Sequence, residues 1–266
     1  MMLEMFEYDF MQRAFIAGII IATLASLSGT FVVLKRYSMI SETLAHSALV
    51  GVAIGLVAGY NPLWMAVIIA VVAAWIIEYL RSSFAIYSDA ILSILLSGSL
   101  ALAVIIVSLG GAFNNSLFSY LFGSILSVSS DDLKVIALFG SLSLALLLAF
   151  SKELYFIAYD EEVAKVSGIK VKLLNFLLVT VVAIIIALSI RVVGSLLIGA
   201  LMVIPTVTAL QYRVGFHKTL FIALFVALFS VVLGMTFSYY FSLPSGATIV
   251  LCVISLFIFS LVLNKK

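Results

Sequence analysis

Long runs without a charged side chain are the feature that most limits how this chain can fold. Seven such runs separate the Asp, Glu, Lys and Arg residues, at 14–34, 43–77, 90–130, 135–151, 173–190, 192–212 and 219–264. A helix needs about 20 apolar residues to cross a bilayer, so the longest runs can hold two crossings each. Because 65% of the residues are hydrophobic and only 10% are charged, a soluble globular fold is excluded. We predict an all-α polytopic membrane protein.

The apolar runs divide into eight or nine predicted transmembrane helices. We place these at 12–34, 43–60, 62–80, 88–109, 133–151, 173–190, 192–212, 218–241 and 246–263. Turn residues interrupt the apolar sequence at Asn61-Pro62 and at Pro244. Residues 117–128 are too short to cross comfortably and are expected to be interfacial or re-entrant. No soluble insertion or linker is evident, so residues 1–266 are expected to form a single transmembrane domain.

The distribution of charge predicts how the chain is oriented. Of the 14 basic and 12 acidic residues, eight lie within residues 152–172, a segment that we call the charged island. When the island is placed in the cytoplasm, eleven basic residues lie inside and only Arg13, Lys134 and Arg191 lie outside. We therefore expect a multi-pass protein of the cell (plasma or inner) membrane. The net charge of +2 gives no reason to expect a nucleic-acid partner.

The middle of the charged island is predicted to be a short capped helix. Asp160 can cap it, and Glu161 and Glu162 follow where the helix dipole favours acids. Gly168 then provides a left-handed stop. Val163 and Val166 leave a small apolar face. A capped helix on a water-facing loop is suited to dock onto a partner that drives the protein from outside.

Glu42 and His46 are the sharpest candidates for chemistry inside the membrane. Their i, i+4 spacing places both side chains on one face of the second predicted span. A carboxylate and an imidazole in this arrangement can bind a divalent metal such as zinc or manganese. The alternative is a hydrogen-bonded structural contact, or a position near the lipid headgroups beside Arg36. Ionisable groups within a span favour the functional interpretation.

Two further segments combine small, polar and kinking residues. Ser47, Gly51, Gly55 and Gly59 form a stripe of small residues at four-residue intervals, which predicts close packing against a neighbouring helix. In the segment 191–209, Pro205 frees a backbone carbonyl one turn earlier. Thr206 and Thr208 can satisfy local backbone groups or line a pore. The sequence leaves a structural kink and a pore element equally open.

Several enzymatic functions conflict with the sequence. No Walker A pattern occurs, so the chain is not expected to hydrolyse ATP unaided. An intramembrane zinc protease needs H-E-x-x-H, and neither His46 nor His217 is followed by Glu. An intramembrane serine protease built on Ser97 with His46 has little support. The remaining classes are a permease driven by a separate ATPase and a secondary transporter that uses an ion gradient.

Motifs along nearly the whole chain resemble one family, the permease subunits of ABC importers for zinc, manganese or iron(II). The matching segments are GTFVVLKRYSMISETLAHSALVGVAIG at 29–55, SDAILSILLSGSLAL at 88–102, LFGSILSVSSDDL at 121–133, DEEVAKVSGIKV at 160–171 and RVVGSLLIGALMVIPTVTA at 191–209. The family usually reads close to G-D-A-L-S-H at residues 41–46. Here Glu42 replaces its aspartate, and Ala45 replaces the serine before the histidine.

The resemblance implies roles for particular residues. Glu42 and His46 correspond to the family's Asp/His pair, which coordinates the metal along its path. Glu162, Ala164 and Gly168 are similar to the E-A-A-x3-G docking loop of ABC importers, with Val163 at the first alanine. The ATPase-docking set is then expected to comprise Asp160, Glu162, Val163, Ala164, Val166 and Gly168, with Val163, Ala164 and Val166 making the apolar contact.

The resemblance also implies an assembly. The chain is expected to be a non-enzymatic transport subunit that forms a homodimer or pseudo-dimer with two copies of a separate ATPase. A metal-binding receptor outside the cell or in the periplasm would deliver the ion. No permanently bound cofactor is expected. The transported metal is expected to bind transiently, with zinc the first choice and manganese the second.

Overall fold

The structure is a computed structural model that describes residues 4–84, 87–110, 115–124, 128–195 and 197–264, with only the backbone of residues 115–118 described. A short 3-10 helix, Glu4–Glu7, precedes twelve α-helices. These are α1 Asp9–Leu34, α2 Met39–Ala58, α3 Pro62–Ser83, α4 Ser88–Leu109, α5 Asn115–Phe122, α6 Ser130–Ala149, α7 Ser151–Tyr159, α8 Glu161–Val166, α9 Val171–Ser189, α10 Ile198–Leu210, α11 Phe216–Phe241 and α12 Ser245–Leu263. The described residues contain no strand.

Eight of these helices are long and apolar enough to cross a membrane: α1, α2, α3, α4, α6, α9, α11 and α12. The all-α polytopic prediction is therefore confirmed. Turn chemistry sets the boundaries where it was expected. Asn61 accepts a hydrogen bond from the Leu63 amide and Pro62 begins α3, while Pro244 precedes α12.

The predicted span at 192–212 differs from the structure. Its helix, α10, has only 13 residues, and irregular backbone joins it to the end of α9. Gly194 adopts a φ of +90°, a conformation that an α-helix cannot include and that glycine tolerates best. A Cβ on Gly194 would also overlap the backbone of residues 121–123. The close approach of these two backbones therefore prevents a continuous helix.

The segment predicted to be interfacial or re-entrant contains α5 followed by an irregular turn. Gly123 has a φ of +74° and lies against the backbone of Val192 and Val193. The Ser195 amide donates to the Tyr120 carbonyl, and the Ser124 amide donates to the Arg191 carbonyl. Residues 125–127 of the predicted segment lie outside the described residues. The described part thus supplies the backbone partners that the irregular start of the α10 region needs.

Different kinds of contact hold the two ends of the bundle together. At the charged-island end, Phe216 at the start of α11 packs against Phe31 of α1 and Tyr155 of α7, with ring centroids 5.8 and 4.3 Å apart. At the opposite end, the Ser245 hydroxyl donates to the Val192 carbonyl.

The charged island contains two helices, α7 and α8, whereas the sequence predicted only the second. Helices α1, α2 and α9 lie mostly inside the bundle, and α4, α6 and α12 lie mostly at its surface.

Only part of the predicted stripe of small residues on α2 packs against α3. A Cβ on Gly51 would overlap the Met65 carbonyl, and one on Gly55 would lie 2.7 Å from the Pro62 Cα. Ser47 instead faces α4, where its hydroxyl lies 2.9 Å from the Ser99 hydroxyl. Gly59 does not pack, which corrects the prediction for that residue. It has a φ of +74° with nothing within 4 Å of a Cβ, and it terminates α2.

We predict that Gly51→Ala destabilises the bundle by about 1–3 kcal/mol, because the new methyl group meets backbone that cannot rotate away. Gly140→Ala is the matched control, since a Cβ there meets only the side-chain ends of Leu24 and Ile20, at 3.0 and 3.2 Å. Melting temperatures of the purified proteins in one detergent provide the measurement. Equal melting temperatures for the two variants would show that α2 and α3 can separate without cost.

Candidate functional site

Glu42 and His46 lie one turn apart near the start of α2. His46 is buried, with 5% of its surface exposed, whereas Glu42 is exposed. The Nδ1 atom of His46 is buried and has no hydrogen-bond partner among the described residues. A buried polar atom without a partner is uncommon in a stable protein and calls for an explanation. The spacing predicts that Glu42 and His46 share one face of α2, and the structure adds this unsatisfied nitrogen.

Neighbouring helices fix the position of this part of α2. The Thr43 hydroxyl donates to the Leu92 carbonyl of α4 at 3.3 Å. On another side of α2, Gly199 in the first turn of α10 lies beside Ser41 and Glu42, since a Cβ on Gly199 would lie 3.3 Å from the Ser41 Oγ and 3.9 Å from the Glu42 Cβ. The carboxylate-bearing turn is therefore held between α4 and the short helix α10.

The described residues contain no group of three or more His, Cys, Asp or Glu side chains that could hold a metal ion. A site built on Glu42 and His46 therefore has at most two side-chain ligands from this part of the chain. Structural zinc sites are usually closed by four protein ligands. The pair can consequently offer an open site, but not a closed cage.

The threonine hydroxyls of α10 have hydrogen-bond partners within the bundle. Pro205, Thr206 and Thr208 are all buried. The Thr206 hydroxyl lies 3.2 Å from the Thr30 hydroxyl of α1, and the Thr208 hydroxyl donates to the Ile204 carbonyl at 2.7 Å. These contacts favour the structural interpretation of the segment over a pore lining.

Helix α8 has caps at both ends. The Asp160 carboxylate accepts hydrogen bonds from the amides of Glu162 and Val163, both at 3.0 Å. At the other end, Gly168 has a φ of +82°. Its amide donates to the Lys165 carbonyl, and the next amide, of Ile169, donates to the Ala164 carbonyl. This pair of bonds is a Schellman motif, so a helix of only six residues is fixed at each terminus.

The two faces of α8 point in opposite directions. Val163 and Val166 are 49% and 89% exposed, whereas Ala164 is fully buried. Ala164 therefore packs against its own chain and is not available to a partner, which corrects its predicted place in the apolar docking contact. Its small size instead lets α8 lie close to the bundle.

A network of ion pairs anchors α8 to the bundle. Glu161 lies 3.4 Å from Arg81 at the end of α3 and 3.8 Å from Lys35, which follows α1. Arg81 also binds the buried carboxylate of Glu78 at 2.7 and 3.0 Å. The Lys35 ammonium donates to the Asn175 side chain on α9. We call Lys35, Glu78, Arg81, Glu161 and Asn175 the anchoring network.

Burial and charge shift the pKa values in the anchoring network. Burial, helped by Arg81, lowers the pKa of Lys35 to about 8, although the carboxylates of Glu161 and Glu78 act in the opposite direction. Burial alone would raise the pKa of Glu161, but Lys35 and Arg81 outweigh it and the net shift is downward. Glu161 is therefore ionised at neutral pH, and Lys35 loses its charge in the mildly alkaline range.

We predict that α8 loosens as the pH rises through about 8. Deprotonated Lys35 no longer attracts Glu161, so the free energy of opening α8 should fall by up to ~1 kcal/mol. Amide hydrogen exchange in α8 should then become up to about fivefold faster. The effect of Lys35 on the free energy of global unfolding has the opposite pH dependence. The pKa of Lys35 in the folded protein lies below its ordinary value of 10.5, so the unfolded chain binds more protons between pH 8 and 10.5 and this group increases stability as the pH rises.

Lys35→Arg provides the control, because guanidinium stays charged throughout this range. Exchange of α8 should be compared between wild type and Lys35→Arg at pH 7 and at pH 9, so that the intrinsic pH dependence of exchange cancels. The same acceleration in both proteins would exclude Lys35 as its cause.

The opposite end of the bundle contains a second polar cluster. Arg191 forms an ion pair with the buried Asp132 at the start of α6, and it also donates to the Tyr120 hydroxyl at 2.9 Å. Its guanidinium lies 5.4 Å from the centre of the Tyr120 ring. Ser129 and Asp132 complete a capping box on α6. These contacts connect α5, α6 and the irregular segment before α10.

Sequence reasoning missed both clusters as candidate sites. A detectable signal existed for the anchoring network, because Glu78 is an acid inside an otherwise apolar helix with Arg81 three residues later. Arg191 likewise stands alone between two apolar runs. In each case the partner comes from a distant part of the chain, and the sequence contains no sign of that pairing.

The eight membrane-length helices, with the short capped helix α8 at one end, define the class of the molecule as a multi-pass membrane protein. A family model described as the ABC 3 transport family matches residues 7–264. The chain belongs to the ABC 3 transport family, and it is a permease subunit for metal transport rather than an enzyme by itself. The resemblance found in the sequence is confirmed.

Individual relatives span nearly the whole chain. The chain is 38% identical to a "Probable metal transport system membrane protein" of Treponema pallidum, over 95% of each chain. It is 32% identical to the "High-affinity zinc uptake system membrane protein ZnuB" of Haemophilus influenzae, over 98% of this chain and 100% of that one. It is 29% identical to the "Manganese import system permease protein ScaB" of Streptococcus gordonii, over 98% and 93%.

A solved structure has a similar fold. "PsaBC from Streptococcus pneumoniae in complex with Fab" matches with a TM-score of 0.86 and 30% identity, over 98% of this chain and 95% of that chain. The relatives named for zinc and for manganese have comparable identity to this chain, so they do not separate the two metals.

Proposed function

We propose that this chain is the membrane-spanning subunit of an ATP-driven importer for divalent metal ions, with zinc as the first choice. The observation that carries the proposal is the buried Nδ1 of His46, which has no hydrogen-bond partner in the described chain and lies one turn from the exposed carboxylate of Glu42. An unprotonated imidazole nitrogen is a good ligand for zinc, and a carboxylate suits zinc and manganese alike.

An open two-ligand site suits transport. The ion must bind strongly enough to be recruited and weakly enough to be released. Water or a second copy of the chain would complete the coordination, so no permanently bound cofactor is proposed. Glu42 has a longer side chain than the family's aspartate, which changes how far its carboxylate reaches from α2. Manganese is the second choice, and iron(II) is the third metal of the family.

The exposed face of α8 supports a separate ATPase partner. Val163 and Val166 form an apolar surface at the end of the bundle that carries most of the basic residues. Glu161, on the same short helix, is tied to α3 and to Lys35. A push on α8 would therefore be transmitted to the turn that precedes α2 and its metal ligands. We propose two ATPase copies at this end, in the cytoplasm, and a metal-binding receptor at the opposite end.

An uncovered face of α4 supports a dimer. Ser93, Ser97 and Ala101 are exposed at four-residue intervals, and Gly98 beside them has nothing within 4 Å of a Cβ. Small residues in this pattern allow a second helix to approach closely. We propose that a second copy of this chain covers the face.

We predict that His46→Ala abolishes metal-dependent transport, because Glu42 alone cannot hold the ion in the path. The matched control is His217→Ala, which removes the other histidine of the chain at an exposed position. Uptake of zinc, manganese and iron(II) into proteoliposomes with the ATPase partner provides the measurement, with the three ions in competition. Folding and assembly with the ATPase should be unchanged in both variants.

Two results would contradict the proposal in different ways. If His46→Ala transports all three ions like the wild type, the metal site lies elsewhere in the chain. If the permease alone transports metal without an ATPase, an ion-gradient-driven secondary transporter replaces the ATP-driven importer. The first result leaves the class intact, whereas the second changes it.

We predict that Gly168→Val uncouples ATP hydrolysis from transport while the protein still inserts. A β-branched residue at a φ of +82° costs on the order of 1–3 kcal/mol of strain, which would unwind the end of α8. Gly215→Val is the control, because Gly215 also has nothing within 4 Å of a Cβ but adopts a φ of −65°. ATPase stimulation by the reconstituted permease provides the measurement. Equal stimulation by the two variants would count against α8 as the docking element.

A further inference from the structure

A continuous groove runs along the outer surface of α9, between α3 and α6. Its apolar part is lined by Trp75, Phe139, Leu142, Leu146, Leu177 and Ile184. At the charged-island end it opens into a pocket of about 630 Å³ that is lined by Lys165, Lys170 and Lys172. Leu173 and Phe176 line both parts, so the apolar groove and the basic pocket adjoin each other.

The walls of the groove are mainly apolar, and two of their polar groups are hydrogen-bonded within the protein. The Trp75 indole nitrogen donates to the Thr180 hydroxyl at 2.9 Å, and that hydroxyl in turn donates to the Phe176 carbonyl at 2.6 Å. The Trp75 indole nitrogen and the Thr180 hydroxyl are therefore satisfied within the protein. Leu142 and Leu148 of α6 are 54% and 59% exposed, as expected of a helix surface that faces lipid. Along this stretch the available occupant is a hydrocarbon chain.

The mouth of the groove is electropositive. Lys170 and Lys172 are exposed and have no carboxylate within ion-pair distance in the described parts of the chain. Lys165 has one partner, Glu162 at 2.8 Å, and both side chains are largely exposed, so that pair is weak and exchangeable. The first turn of α9 contains no acidic residue, so the positive end of its dipole adds to the lysine charges.

We propose that this groove binds one anionic glycerophospholipid, with its phosphate at Lys170 and Lys172 and one acyl chain along α9. Basic pockets at the cytoplasmic ends of transmembrane helices are suited to anionic headgroups. The pocket is open to the surface, and its lining combines the three lysines with the apolar side chains Leu173 and Phe176, which suits a charged headgroup attached to an acyl chain. A partner protein would not follow the groove to Ile184, far along a spanning helix.

The lipid would act on the docking element. Lys165 belongs to α8, and Lys170 is the first residue before α9. A phosphate at Lys170 and Lys172, in the pocket that Lys165 also lines, would therefore connect α8 to α9 at a point that the anchoring network does not cover. The inference does not depend on the proposed metal transport, because lipid binding can be measured on the permease alone.

Native mass spectrometry of the purified protein, with added lipid, tests the proposal. Wild type should bind phosphatidylglycerol at least tenfold more tightly than phosphatidylcholine with the same acyl chains. Each lysine near an anionic headgroup contributes about fivefold, so Lys170→Gln/Lys172→Gln should remove most of this preference. The matched control is Lys152→Gln/Lys218→Gln, which removes two exposed lysines of the same end that do not line the groove.

A second variant tests the acyl chain independently of charge. Leu142→Trp adds bulk at an exposed position in the groove and should reduce binding of phosphatidylglycerol by tenfold or more without affecting the lysines. Inorganic phosphate and glycerol phosphate provide the soluble arm of the experiment, and neither should compete at millimolar concentration. Full competition by phosphate would show a simple anion site and overturn the lipid proposal. Equal affinity of wild type for both lipids, or unchanged binding in the lysine or Leu142 variant, would also overturn it.

Discussion

The requirement that polar groups be satisfied without water is the constraint on which this structure depends. Most buried hydroxyls in the spanning helices meet it by bonding to their own backbone. Ser28 donates to the Leu24 carbonyl, Ser189 to that of Ile185 and Ser230 to that of Val226. Against this background the unsatisfied Nδ1 of His46 is informative, because nearby polar groups show that the chain can provide partners where stability alone requires them.

Sequence reasoning was most accurate where the signal is local. The spans follow from apolar length, the break at Asn61-Pro62 from turn chemistry, and the caps of α8 from Asp160 and Gly168. It failed where a distant contact decides the outcome. Residues 192–197 read as the start of a span, but Gly194 lies against the backbone of residues 121–123, and no local pattern contains that information.

The same limit applies to the candidate site, of which only the local features could be predicted from the sequence. The i, i+4 spacing of Glu42 and His46 was visible in the sequence, as was the exposed apolar face of α8. The sequence did not reveal that Ala164 turns inward or that Glu161 pairs with Arg81, since both depend on how α8 lies against the rest of the bundle. The type of a residue predicted its chemistry, whereas the direction in which its side chain points is determined by the packing of the whole bundle.

Glu42 and His46, the proposed metal ligands, lie between contacts from both ends of the bundle. Lys35 of the anchoring network is separated from Glu42 by the turn between α1 and α2 and the first residues of α2, so the network lies close to the pair at the charged-island end. From the other side, Gly199 of α10 lies against the Glu42 turn. The segment that leads into α10 is held by the Arg191–Asp132 ion pair and by the Ser195–Tyr120 backbone bond. A displacement at either end would therefore reach Glu42 through a few packed residues, an arrangement that the proposed transport could use.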